Sequence, residues 1–305
     1  MRKVKITLPA VITDLGAGVG ALGLAVGLHT VIEITERRDS QLIVETEGEG
    51  AGHYSTGLRH PVVLAMMRVF QKCERAPLGI TVRVTNHIPL ESGLGVEAAF
   101  LVGGLIGANN LLSSPFSRAD LLQLAAQISG RPDSVTATML GGLTTGILHD
   151  DEGLVYRSLP ATSLKLVIVL PDLERYADQT RTATPQRVPR EDALHNLQRL
   201  PLLVEGLRGG DLQLIAHGLT DRLQAPYYLP RLTGYAHVVE VARRAGAAAL
   251  AICGSGPALV AFAGAQHDAL AEVLVAAFDN AGVDARAWVV PIDTQGVVIS
   301  AVQSG

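Results

Sequence analysis

One stretch constrains this chain more than any other. Residues 88–112 read IPLESGLGVEAAFLVGGLIGANNLL, in which a Gly-containing loop passes directly into a long apolar helix over roughly Glu97 to Leu112. Glycines at Gly93 and Gly95 permit close backbone approach, and free amide N–H groups backed by the helix dipole favour an anion such as phosphate. The spacing is neither that of a P-loop nor the GxGxxG of a dinucleotide fold. A lone GLG before a helix is more often an ordinary turn, so this stretch by itself names no ligand.

The length of 305 residues lies above the size at which one core usually stops growing, so two domains are expected. With 48% hydrophobic, 18% charged and only 4% aromatic residues, the core is filled by aliphatic side chains. A formal net charge of -4 gives no general attraction to nucleic acid or anionic lipid and favours a small-molecule or protein partner. The N-terminal MRKVKITLPAVITDLGAG is too short and too polar in its apolar run for a signal peptide, and no run of about 18 apolar residues follows, which makes a cytoplasmic location the expectation. Cys73 and Cys253 lack any CxxC or Cys/His spacing and read as ordinary buried thiols. The nine histidines are scattered singly, without a pair placed to bind a transition metal.

Along the chain, KVKITL reads as a strand, followed by a Gly-rich turn and further β-branched alternation between Thr30 and Thr46. His60 to Cys73 has the spacing of an amphipathic helix, and Ile80 to Val84 that of a strand. Ser117 can cap a helix with Asp120 at the capping-box position and Gly130 at its end. RPDSVTATMLGGLTT suggests a further helix and turn, and the polar run His149–Ser163 then precedes the strand LKLVIVL. A boundary near Ala161 gives domains 1–160 and 161–305. The second half offers a charged loop over Pro171–Pro189, helices over Ala193–Leu207, Asp211–Leu223 and Tyr235–Ala245, then strand, Gly turn and strand in AALAICGSGPALVAFA. A helix over His267–Ala281 leads to a terminal strand, AWVVPI.

Three segments taken together are far more specific than any one. PAVITDLGAGVGALGLA, PLESGLGVEAAF and CGSGPALVAF stand in the order and spacing of the three motifs of the GHMP small-molecule kinases, which the chain resembles over nearly its whole length. SGRPDSVTATMLGGL resembles the family's EGHPDNVAPALLGGL, and DRLQAPYYLPRLTG resembles DRLHQPYRAPLIPG of its homoserine kinase branch. The resemblance implies an α+β GHMP kinase fold: a split βαβ-type N-terminal domain and a ferredoxin-like C-terminal domain, with ATP and Mg²⁺ as cofactors and a small hydroxyl acceptor, an amino acid. It also implies a homodimer and a place in threonine biosynthesis. Carried over position by position, the nucleotide is implied to lie on Pro89, Glu91, Ser92, Gly93, Leu94, Gly95, Val96, Glu97, Ala98 and Ala99, and the acceptor on Asp14, Arg131, Arg181, Arg231, Gly254, Ser255 and Gly256.

Several family positions carry other residues here. Where the phosphate loop usually reads GLGSSAA this chain has Val96 and Glu97; valine offers no hydrogen bond, and a carboxylate repels a triphosphate unless a metal ion lies between them. The run in which the family keeps its magnesium carboxylate is Gln127-Ile128-Ser129-Gly130, without an acid, which leaves Glu97 as the candidate metal ligand. The family's amino-binding Asp is Gly20, its Asn is Asp14, the His and Asn of GHPDN are Arg131 and Ser134, and the Arg of PYR is Tyr228. Arg181, Asp133, Asp221 and Arg222 match the pattern. Blander readings stand beside these: Arg181 as a solvated loop side chain, Asp14 as a turn cap, and Glu97 as a helix-dipole partner worth roughly 0.3–1 kcal/mol. Ser255 does not qualify as a nucleophile elbow, since GxSxG fails at Cys253.

Two functions therefore compete. One is an ATP-dependent kinase for the hydroxyl of homoserine or another small acceptor, working by positioning and charge neutralisation. The other is a non-catalytic descendant that keeps the fold and binds a metabolite or a protein, in which Arg131, Arg181 and Arg231 form a cationic pocket.

Overall fold

The computed structural model describes residues 2–174, 176–180 and 183–303. The first sheet is built from β1 (Arg2–Thr13), β2 (Leu22–Arg37), β3 (Leu42–Gly48), β4 (Gly79–Asn86), β5 (Leu143–His149) and β6 (Gly153–Leu159), joined through α1 (Pro61–Lys72), α2 (Val96–Leu111), α3 (Arg118–Ser129) and α4 (Pro132–Leu140). The second sheet comprises β7 (Lys165–Pro171), β8 (Ala247–Ile252), β9 (Leu259–Ala263) and β10 (Ala285–Pro291). Between β7 and β8 lie α5 (Tyr176–Thr180), α6 (Arg190–Gly209), α7 (Leu212–Gly218), α8 (Ala225–Tyr228) and α9 (Tyr235–Arg244), while α10 (His267–Asp279) precedes β10. The last strand is β11 (Val298–Gln303).

Strand β2 organises the first sheet. Its start, Leu22–Leu24, pairs antiparallel with β5 and its second half, Thr30–Arg37, antiparallel with β4, while β1 pairs antiparallel along its other edge. The register shifts between Pro9 and Ala10, where a proline with no N–H to give to the ladder makes a bulge inexpensive. Strand order is β11-β1-β2-β4-β3, and only β3 and β4 run parallel.

Helix α2 has almost no polar face, and residues such as Ala99, Val102, Leu105 and Ala108 are fully buried. Small residues let it sink between its neighbours. A Cβ on Gly104 would stand 2.4 Å from the Val62 carbonyl oxygen of α1, and one on Gly107 would stand 2.1 Å from Cδ1 of Ile34 in β2. The loop that enters this helix is thereby held against the sheet at the level of β1.

The second sheet is antiparallel in the order β10-β7-β9-β8. One face, with Val167, Val169, Leu259 and Ala261, closes over α9 and α10. The other, with Leu166, Ile168, Val260 and Phe262, joins the first sheet's core together with Leu203, Leu207 and Ile215 of α6 and α7. The fold is α+β, with a split βαβ-type first unit and a ferredoxin-like second one, as expected from the sequence.

Three expectations change, one of them the helix over Asp211–Leu223, which ends at Gly218. AWVVPI is not the terminal strand, because the chain continues and returns β11 to the first sheet, where it pairs antiparallel with β1. A division after residue 160 thus separates the two sheets except for this last strand. Of the two thiols, Cys253 is buried and its pKa is pushed up by that burial, but Cys73 is only partly covered at the end of α1. Among the described residues no helix is long and apolar enough to cross a membrane.

Candidate functional site

The loop between β4 and α2 folds on itself through Ser92, whose buried hydroxyl donates to the Pro89 carbonyl at 2.7 Å and accepts the Leu94 N–H at 3.3 Å. Leu94 then anchors the loop to β1 by accepting the Val11 N–H at 3.0 Å. Gly93 has φ +83°, and a Cβ there would lie 2.0 Å from the Cys253 carbonyl oxygen, so the backbone of this loop rests directly on the turn between β8 and β9. The Ser92 carbonyl also accepts the Ala258 N–H at 3.1 Å, and the Thr13 carbonyl accepts the Gly254 N–H at 2.9 Å. The three Gly-rich segments picked out in the sequence therefore meet at one place.

Gly95 caps α2 in the left-handed conformation and contributes no side-chain hydrogen bond. The amides of the first turn, from Val96 to Ala98, thus have neither an intrahelical acceptor nor a side-chain cap, the condition in which a helix N-terminus attracts an anion. Val96 is buried, Glu97 is exposed, and Ala98 and Ala99 are buried. Pro89 and Leu94 are buried as well, and Glu91, with φ +51°, is exposed.

A second cluster stands beside this helix start. Asp14, at the end of β1 with φ +53°, accepts the Gly20 N–H at 2.8 Å through Oδ1, which is the turn-capping role. Its other oxygen accepts from Arg131 Nη2 at 2.8 Å. Arg131 caps α4 and also reaches Asp133, Nη2 to Oδ2 at 3.1 Å and Nε to Oδ1 at 3.3 Å. Burial works against the guanidinium charge, but the adjoining carboxylates of Asp133 and Asp14 outweigh it and raise the Arg131 pKa. The expectation of a cationic pocket built on Arg131 is corrected on this point: its Nε and Nη2 are committed to two nearly buried carboxylates, and among the described residues only Nη1 is left open.

The remaining acceptor positions are spread more widely. Gly254 and Gly256 are buried in the turn and Ser255 is exposed upon it. Arg231 is exposed and donates to the Tyr227 carbonyl. Beside it, Tyr176 donates to the Tyr228 carbonyl at 3.1 Å; burial pushes its hydroxyl pKa up, and the Arg231 charge opposes that shift. A Cβ on Gly256 would stand 2.9 Å from the Tyr176 ring, which places this wall next to the turn. Arg181 lies outside the described residues.

Tyr54, in the Gly/Ser-rich run after β3, is marked by no pattern in the sequence and yet lies beside the phosphate-loop helix. Its ring packs edge-on against Phe100 of α2 at 5.2 Å. Its hydroxyl is pushed up to about 12 by burial, and then by the carboxylates of Glu97 and Glu91. Among the described residues no cluster of three or more acid, His or Cys side chains surrounds a point, so a metal ion here would rely on Glu97 and on the ligand it accompanies. At the run where a magnesium carboxylate was implied, the Ser129 hydroxyl instead accepts the Arg131 N–H at 3.0 Å.

Comparison with known proteins agrees with this geometry. Residues 61–142 match the GHMP kinases N terminal domain and residues 203–284 the GHMP kinases C terminal domain. The homoserine kinase of Moorella thermoacetica is 34% identical over 279 residues, covering 91% of this chain and 93% of that protein. The homoserine kinase of Parasynechococcus marenigrum is 36% identical over 301 residues, covering 97% and 95%. Among solved structures, homoserine kinase from Cytophaga hutchinsonii superposes with a TM-score of 0.86 at 24% identity, over 98% of this chain and 97% of that one. L. major mevalonate kinase in complex with R-mevalonate reaches 0.67 at 15% identity, over 96% of each. These two structural likenesses concern the fold.

Proposed function

The chain belongs to the GHMP kinases, and we propose that it transfers the γ-phosphoryl group of ATP to the hydroxyl of L-homoserine. The observation that carries this reading is the likeness to homoserine kinases over nearly the full chain, at 34% and 36% identity. The reaction needs no covalent enzyme intermediate. The acceptor's hydroxyl oxygen bonds to the γ-phosphorus, the bond from that phosphorus to the bridging oxygen breaks with its electron pair leaving on ADP, and the hydroxyl proton passes to solvent.

The chain's residues support binding at both ends. The uncapped amides of Val96, Glu97 and Ala98, with the helix dipole behind them, suit the nucleotide's phosphates, and Pro89 to Ala99 form the loop that would wrap them. Mg²⁺, when bound, neutralises phosphate charge; it needs only one or two protein carboxylates, and Glu97 in the first turn meets that minimum. On the acceptor side, Arg231, near Tyr176 and the Gly254–Gly256 turn, suits a carboxylate.

A coupled ADP-release assay with homoserine, threonine, mevalonate and shikimate tests the reading. Turnover with homoserine well above the others is the expected result. Absence of turnover with every acceptor, together with no shift in thermal melting on adding ATP, overturns it in favour of a non-catalytic binder.

A further inference from the structure

Arg131 carries an inference that deepens the proposed reading and rests on it. Its guanidinium is held from one side. Nη2 donates to Asp14 at 2.8 Å, to Thr13 Oγ1 at 3.1 Å and to Asp133 at 3.1 Å, and Nε donates to Asp133 at 3.3 Å. Among the described residues Nη1 makes no hydrogen bond, and 49% of the side chain is exposed, against 4% and 1% for the two carboxylates. The result is a fixed cation with one open edge. A solvated arginine on a surface loop would have neither this anchoring nor this orientation.

Two routes place the guanidinium beside the phosphate loop. Thr13, which accepts from Arg131, also accepts the Gly254 N–H, and a Cβ on Gly254 would stand 3.0 Å from the Gly93 carbonyl. On the other route, a Cβ on Gly95 would stand 3.6 Å from the hydroxyl of Ser134, three residues along from Arg131. Arg231 lies instead near Tyr176, whose ring packs on Gly256 of the turn.

We propose that Arg131 is the protein's own positive charge on the transferred phosphoryl group, with Nη1 donating to a γ-phosphoryl oxygen while Asp14 and Asp133 keep the guanidinium from turning away. Charge builds on those oxygens and on the departing ADP as the bridging bond breaks, and a cation that is already oriented needs no rearrangement to meet it. The hydroxyl acceptor and bond changes are those of the proposed reaction. A fixed guanidinium would thus share the neutralisation of phosphate charge with Mg²⁺, for which the Gln127–Gly130 run supplies no carboxylate ligand.

The test compares wild type with Arg131→Gln and Arg131→Lys, measuring equilibrium affinity for ADP and for the β,γ-imido analogue of ATP, and turnover of homoserine. In Arg131→Gln the preference for the triphosphate over ADP should fall about tenfold with ADP affinity within about twofold, and kcat should fall about 100-fold with the KM for homoserine within about threefold. Arg131→Lys should retain part of the preference. A raised KM for homoserine with kcat and the nucleotide preference unchanged would assign Arg131 to the acceptor's carboxylate and overturn the proposal.

Because Arg131→Gln strips two carboxylates of their partner, the triple variant Asp14→Asn, Arg131→Gln, Asp133→Asn removes all three charges together. Loss of the triphosphate preference in a variant that melts like wild type supports the role, and retention of it overturns it. The nucleotide preference needs no acceptor, so it tests Arg131 even if wild type fails to phosphorylate homoserine, a failure that would sink only the acceptor assignment.

Discussion

Nδ1 of His60 accepts the backbone N–H of Val62 at 3.2 Å, capping the helix that His60 precedes. Nδ1 must then be unprotonated and the ring proton sits on Nε2, 3.1 Å from the Thr46 hydroxyl. The ring is fully buried near Tyr54 and Phe100, and burial pushes its pKa down from 6.5 to about 4. The unfolded chain therefore takes up this proton first as pH falls. Stability present above the unfolded value should be lost between 6.5 and about 4, by on the order of 3 kcal/mol. Thermal melting across this range checks it, with His60→Asn, whose side-chain oxygen still caps, as the comparison. Wild type should lose Tm more steeply than the variant, and parallel curves would remove His60 as the cause.

Gly93→Ala should damage both stability and nucleotide binding. Alanine at φ +83° costs about 1–2 kcal/mol on its own, and its Cβ would collide with the Cys253 carbonyl, a backbone atom held by the turn beneath it. The loss should reach about 3 kcal/mol in denaturant unfolding, and ADP should no longer raise the melting temperature of whatever folds. A variant that binds ADP like wild type would show that the loop can part from the Cys253–Gly256 turn without consequence.

Local rules make part of this molecule legible. The capping box predicted from Ser117 and Asp120 forms with both bonds, and Gly130 ends that helix with φ +64°, because these contacts span only a few residues. Helix α2 begins within one residue of the expected Glu97 for the same reason. The long-range relationships leave no such mark. Asp14 and Arg131 are 117 positions apart, so each can be singled out as a site residue without any sign that the two pair with one another. Strand β11 escapes local patterning because its pairing with β1 joins opposite ends of the chain.

The helix expected to run on to Leu223 stops at Gly218, and Asp221 organises the segment beyond it. Its carboxylate accepts from Asn196 Nδ2 at 2.7 Å and from the backbone N–H groups of Leu223 at 2.7 Å, Gln224 at 2.9 Å and Ala225 at 2.7 Å. Asp221→Ala should cost about 3 kcal/mol by leaving these donors unpaired. Asp221→Asn should also destabilise, since its amide turns a donor toward two of them. Denaturant unfolding checks both, and ADP affinity should stay within about twofold because the phosphate loop lies elsewhere. Unchanged unfolding midpoints would mean that water replaces the carboxylate at no cost.

Glu97 sets two effects against each other, and magnesium decides between them. Its exposed carboxylate in the first turn of α2 gains about 0.3–1 kcal/mol from the helix dipole. Bringing phosphate to within about 4 Å of this exposed carboxylate adds a repulsion of about 1 kcal/mol, or roughly fivefold in affinity, at the dielectric of bulk water. In Mg²⁺-free buffer Glu97→Gln should therefore bind ADP about fivefold more tightly than wild type. With Mg²⁺ present the order should reverse, because the ion then has a carboxylate to gain in wild type and none in the variant. Titration calorimetry in the two buffers separates the cases. Tighter binding by the variant in both would make Glu97 only a repulsive neighbour, and equal affinity in both would leave it as the partner of its own helix dipole.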